Sequence, residues 1–82
     1  MKAKERGSAR AEELRRLLKE KREQAGLSLR DLGARLQWDH KVIDRLESGE
    51  KRPTVLELLE LGEALGFDPR TVIKRLMKID RS

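Results

Sequence analysis

The residues best suited to chemistry are His40, Lys41, Asp44, Arg45 and Ser48. Their spacing puts them on one side of a helix whose other side carries Ile43 and Leu46. Lys41 and Arg45 are long donors, Asp44 is an acceptor, and His40 can be either. Such a row makes hydrogen bonds rather than breaking covalent ones. Base edges in the major groove of B-DNA present donors and acceptors to a helix of this width. On spacing alone, an ordinary charged surface helix fits as well.

Other chemistries lack their groups. The chain has one His and no Cys, so it has no His/Cys metal cluster and no disulfide. Asp39 and His40 are neighbours in sequence and do not face each other on a helix. A Ser-His-Asp relay needs a pocket that a domain this small rarely has, and no Gly-rich phosphate loop is present. No cofactor, no metal and no enzyme activity are expected. Apolar runs stop at two residues, whereas a membrane span needs ~20, so no membrane partner is expected. The absence of Cys and of a secretory leader fits a cytoplasmic, nucleoid-associated protein.

The 82 residues make one domain with a small core. The net charge is +5, and its placement is uneven. Residues 1–24 hold nine Lys/Arg against five Glu, and residues 70–82 hold five Lys/Arg against one Asp. Residues 25–69 are net acidic, with six Lys/Arg against nine Asp/Glu. The basic ends would attract phosphate, but a solvated helical surface has the same composition.

Five helices must position the row. Residues 1–8 carry no periodic apolar residue and are expected as a flexible basic arm, followed by a domain over 9–79 and a tail over 80–82. The first helix spans about 8–25, with Leu14, Leu17 and Leu18 inward, and Gly26 stops it. Ser28 and Asp31 form a capping box opening the second helix, 29–36, which buries Leu32 and Leu36. Gly33 inside it costs roughly 1 kcal/mol against Ala and implies a close approach. Asp39 caps the third helix, 40–48, and Gly49 ends it. Thr54 and Glu57 cap a fourth helix that turns Leu58, Leu59, Gly62 and Leu65 inward and stops at Gly66. Asp68-Pro69 opens the fifth, about 69–78, with Val72, Ile73, Leu76 and Met77 apolar. Two short helices joined by about three residues around Gln37–Asp39 must cross steeply, which is helix-turn-helix geometry.

Residues 14–76 resemble the DNA-binding domain of the lambda repressor/Cro-type, or XRE, helix-turn-helix family. The landmarks are Leu18-x3-Arg22-x2-Ala25-Gly26-Leu27-Ser28, then Asp31-Leu32-Gly33-x2-Leu36. Val42-Ile43-x2-Leu46-Glu47-Ser48-Gly49, Arg52-Pro53, Leu58, Leu65-Gly66 and Asp68 follow. The resemblance implies an all-α five-helix bundle and a sequence-specific transcriptional regulator, a repressor that inserts residues 40–48 into the major groove. It implies base contacts from His40, Lys41 and Arg45, with Val42 near a thymine methyl, and Asp44 on the same outward face is expected to join them as an acceptor. Phosphate contacts are expected from Arg10, Ser28, Arg30, Ser48, Lys51 and Arg52. Arg22 and Glu47 occupy the positions of a family ion pair that orients the reading helix.

The expected partner is a palindromic double-stranded operator bound by a homodimer through Val72, Ile73, Leu76 and Met77. Two alternatives remain open: an antitoxin that also holds a toxin, and an adaptor that keeps the fold but bridges proteins. Two positions depart from the family pattern. Leu29 stands where a phosphate-binding Gln is usual, and Gln37 stands where the turn usually has Gly. A non-Gly residue with positive φ costs ~1 kcal/mol, so a turn of different shape is expected there.

Overall fold

The four helices after the first begin where a side chain satisfies their first amides. The computed structural model describes residues 8–80, with helices α1 (Ser8–Gln24), α2 (Leu29–Leu36), α3 (His40–Ser48), α4 (Val55–Leu65) and α5 (Pro69–Met77). The expected arm lies outside the described residues up to position 7, and Ser8 already belongs to α1. Ser28 Oγ accepts from the Asp31 amide at 3.0 Å, and Asp31 accepts from the Ser28 amide at 3.1 Å. Thr54 and Glu57 repeat this box at α4. Asp39 and Asp68 accept from the amides of Lys41 and Arg70, both at 2.9 Å.

The core is a cluster of Leu18, Leu32, Ile43, Leu46, Leu58 and Leu61, with Trp38 and Phe67 packed against its edges. Lys21 stands 5.5 Å from the centre of the Phe67 ring, which ties α1 to the link between α4 and α5. Burying these leucines is the main favourable term, at about 1.5–3 kcal/mol for each fully buried side chain.

Two glycines fix how the helices meet. A Cβ on Gly33 would stand 2.8 Å from the Trp38 carbonyl oxygen and 3.2 Å from His40 Cα. The approach implied by its place in α2 is therefore made by the turn and the start of α3. A Cβ on Gly62 would stand 2.8 Å from the Phe67 carbonyl oxygen. In α4, Leu58, Leu61 and Gly62 face inward, and Leu59 is 46% exposed. The expected inward position of Leu59 is thus corrected to Leu61. Leucines cover more than one face of α4, so periodicity alone does not choose between them.

The turn between α2 and α3 keeps the left-handed conformation despite its side chain. Gln37 has φ 62° and ψ 38°, and no other non-glycine among the described residues has positive φ. The expected change of turn shape is not seen. The Gln37 and Trp38 amides both donate back into the end of α2. These bonds, with the tight seat of Gly33, hold the turn against a local cost of ~1–2 kcal/mol.

Candidate nucleic-acid interface

The inner side of α3 is fixed at two levels. Ile43 and Leu46 are each 2% exposed, and Val42 is half-buried against the same core. Val42 is therefore first a packing residue. Above this layer lies Glu47, a carboxylate only 9% exposed. Arg22 Nε donates to Glu47 Oε2 at 2.6 Å, and Nη2 donates to Oε1 at 2.9 Å. Its Nη1 donates to the Leu27 carbonyl at 2.8 Å. One guanidinium thus joins α1, the chain before α2 and α3. Its hydrogen bonds to Glu47 push the Arg22 guanidinium above its already high ordinary pKa.

Arg15, which the sequence reading passed over, braces the far end of the same helix. Its Nη1 donates to the Glu47 main-chain carbonyl at 3.2 Å, and its stem lies against Gly49. Last-turn carbonyls of a helix lack intrahelical donors, so this contact supplies one. A signal was present: Arg15 stands two turns before Arg22 and so shares its face of α1.

The outer side of α3 is open. Lys41, Asp44, Arg45 and Ser48 are exposed, and His40 is half-buried. Lys41, Asp44 and Arg45 form no salt bridge among the described residues. His40 Nδ1 stands 3.7 Å from an Asp39 carboxylate oxygen. Asp39 is held below the ordinary carboxylate range, chiefly by the hydrogen bond from the Lys41 amide. Ser48 Oγ donates to the Arg45 carbonyl and accepts from the Glu50 amide, so it shapes the exit from α3.

The expected phosphate contacts divide. Arg30 and Arg52 are exposed and make no salt bridge among the described residues. Lys51 is engaged within the fold: its Nζ stands 3.0 Å from Glu57 Oε1, and its amide donates to the Arg45 carbonyl. The capping box holds the Glu57 carboxylate beside the loop, where it draws in the nearest cation. Arg10 is likewise tied down, its Nε donating to the Ile79 carbonyl at the seam of α1 and α5. At the start of α2 the Asp31 carboxylate takes the Ser28 amide, so the protein's own anion fills part of the place expected for a phosphate. The hydrogen bonds from Ser28 hold Asp31 below its ordinary pKa.

The expected dimer residues also divide. Val72 is 2% exposed and belongs to the core, so it cannot form an interface. It lies on the side of α5 that packs on the bundle, with half-buried Leu76 one turn on. Ile73 and Met77 are exposed at 43% and 70%. Among the described residues no group of three or more His, Asp or Glu side chains could hold a metal ion, and no helix is long and apolar enough to cross a membrane.

A helix-turn-helix domain model matches residues 13–76. A solved structure described as an XRE-family like protein from Pseudomonas syringae pv. tomato str. DC3000 superposes with a TM-score of 0.78. It shares 31% identity over 85% of each chain. No curated protein sequence matches. The locked inner side and open outer side of α3, the matched domain and this structural relative agree: the chain belongs to the XRE-type family of helix-turn-helix DNA-binding regulators.

Proposed function

We propose that this chain is a sequence-specific transcriptional repressor that binds a palindromic operator as a homodimer. One observation carries the reading. The inner side of α3 is held by the core and by the Arg22–Glu47 pair, while Lys41, Asp44 and Arg45 are exposed on the outer side and form no salt bridge among the described residues. A helix held rigidly from behind, with unpaired donors and an acceptor in front, is what major-groove readout requires.

In this role Lys41 and Arg45 donate to guanine O6 and N7, and Asp44 accepts from a cytosine amine. His40 contributes at the helix start. Arg52 and Arg30 meet phosphates on either side and set the register without reading sequence. With Lys51 and Arg10 committed elsewhere, one copy makes few phosphate contacts. Two copies on half-sites one helical turn apart, ~34 Å, recover the missing affinity. A repressor of this kind acts by occupying its operator.

Selection of bound duplexes from a random pool tests the proposal. Enrichment of an inverted repeat is expected. A pool that shows no enriched sequence, together with equal affinity for unrelated duplexes, would refute it.

A further inference from the structure

The basic charge of α5 lies apart from the site on α3. Arg22 of α1 reaches Glu47 of α3, and Glu13 of α1 pairs with Arg75 of α5 at 3.2 Å. Nine residues separate Glu13 from Arg22, about two and a half helical turns, so the two leave opposite sides of α1. α3 and α5 therefore face each other across α1, and a duplex held by α3 does not meet α5.

The outer face of α5 is built as two adjacent lines. Ile73 and Met77, one turn apart, are 43% and 70% exposed. Lys74 and Lys78, also exposed, form the next line, about 100° further round the helix. Buried Val72 and half-buried Leu76 take the inner side. Arg70 pairs with Asp68 and Arg75 with Glu13, whereas Lys74 and Lys78 form no salt bridge among the described residues. Packing within the bundle accounts for neither line.

We infer that this face docks an acidic amphipathic helix of a partner protein, one with apolar side chains a turn apart and carboxylates beside them. Docking on the DNA-bound chain rests on the reading above; docking itself does not. The apolar line supplies adhesion, and the lysine line selects the sign of the partner. Any helix laid along α5 repeats its side chains at the same one-turn spacing, so an apolar pair beside a carboxylate pair meets both lines at once. The contact is small, which makes it weak and transient.

Other occupants fit less well. A second copy set α5 against α5 brings the two lysine lines together, and like charges repel. A phosphate backbone offers nothing to Ile73 and Met77. A flat anionic lipid surface meets Asp68 and Asp80, exposed at the two ends of α5, as well as the lysines. A narrow helix along the middle of α5 meets only the lysines.

The probe is a capped helical peptide with two leucines a turn apart flanked by glutamates, compared with its glutamine twin. Both are titrated into the isotope-labelled full chain, with and without a selected duplex, and amide shifts are followed by NMR. The glutamate peptide should move the amides of residues 70–78 and leave those of α3 in place, whether or not duplex is bound. The glutamine twin should bind about fivefold more weakly, the worth of two exposed ion pairs, and Lys74→Gln with Lys78→Gln should weaken the glutamate peptide by the same factor. Ile73→Gln with Met77→Gln should weaken it by about tenfold, through lost apolar burial. Both double variants should keep wild-type helicity, and duplex affinity within about twofold, as surface substitutions outside the DNA site do.

Equal binding of the two peptides overturns the proposal, as does an absence of shifts or shifts confined to α3. Binding to phosphatidylserine vesicles in preference to the glutamate peptide marks a lipid surface and overturns it too. So does self-association in sedimentation equilibrium that the α5 variants abolish, which assigns the face to a second copy. A chain that binds the glutamate peptide on α5 but binds no duplex refutes the DNA reading and leaves the docking face standing.

Discussion

Arg22→Ala should be the most damaging single truncation of a charged side chain. It removes three hydrogen bonds, two to Glu47 and one to the Leu27 carbonyl. It also strands a carboxylate whose side chain is 9% exposed, with Arg22 at 11%. Breaking a buried pair by removing one partner costs ~3–5 kcal/mol. Both groups keep about a tenth of their surface in water, which places the expected loss near the lower end, about 3 kcal/mol. At ~4–8 °C per kcal/mol for a domain of this size, Tm should fall by more than 10 °C. Glu47→Ala should cost less, because Arg22 keeps the Leu27 carbonyl and its stem can carry the charge outward. The double variant should lose less than the sum, with a coupling of about 1–3 kcal/mol. Arg22→Lys should recover only part of the loss, since an ammonium cannot make the two-point contact. Urea unfolding of the four proteins measures the cycle. Additivity within ~0.5 kcal/mol would refute the reasoning, because it means the two groups do not act on each other.

Gln37→Gly should stabilise the fold, by up to ~1 kcal/mol, since it relieves a left-handed residue without removing a buried contact; an unchanged or lower urea midpoint would contradict this. Arg52→Ala should flatten the slope of log K against log salt by ~0.9 with no change in preferred sequence, whereas Lys51→Ala should lower Tm and leave the slope alone. Glu57 is held below its ordinary value of 4.5, first by the Thr54 amide and then by Lys51. A carboxyl lowered in the folded state contributes stability that is full above its unfolded pKa and lost as pH falls through its folded pKa. Glu57→Gln should therefore lower stability at pH 7 and reduce the further loss below pH 4.5, measured as Tm against pH.

Local chemistry made the five helices legible. Ser28 with Asp31, Thr54 with Glu57, and Asp68 before Pro69 each announce a helix start. Gly49 and Gly66 announce ends, both in the left-handed conformation. Arg22 and Glu47 were legible through the family resemblance, and the structure pairs them. What failed to be legible depends on contacts between elements. Leu59 and Leu61 lie on either side of the same apolar stripe, and the packing of Leu61 into the core cluster separates them. Lys51 reads as a free cation until the capping box puts the Glu57 carboxylate beside it. Val72 and Met77 look alike in sequence, but one faces the bundle and the other solvent. Gln37 shows the converse: local preference argues against the turn, and the bonds from Gln37 and Trp38 into α2 override it.

The central claim is that the outer side of α3 reads bases, and the enriched sequence of an Arg45→Ala variant tests it most directly. Wild type and variant are selected against the same random duplex pool at one salt concentration, and affinities are then measured on the wild-type sequence. Loss of preference at one position of each half-site is predicted, with specific binding weaker by about 1–3 kcal/mol and binding to random duplex little changed. An Arg45→Ala protein that enriches the wild-type sequence with wild-type affinity would contradict the account.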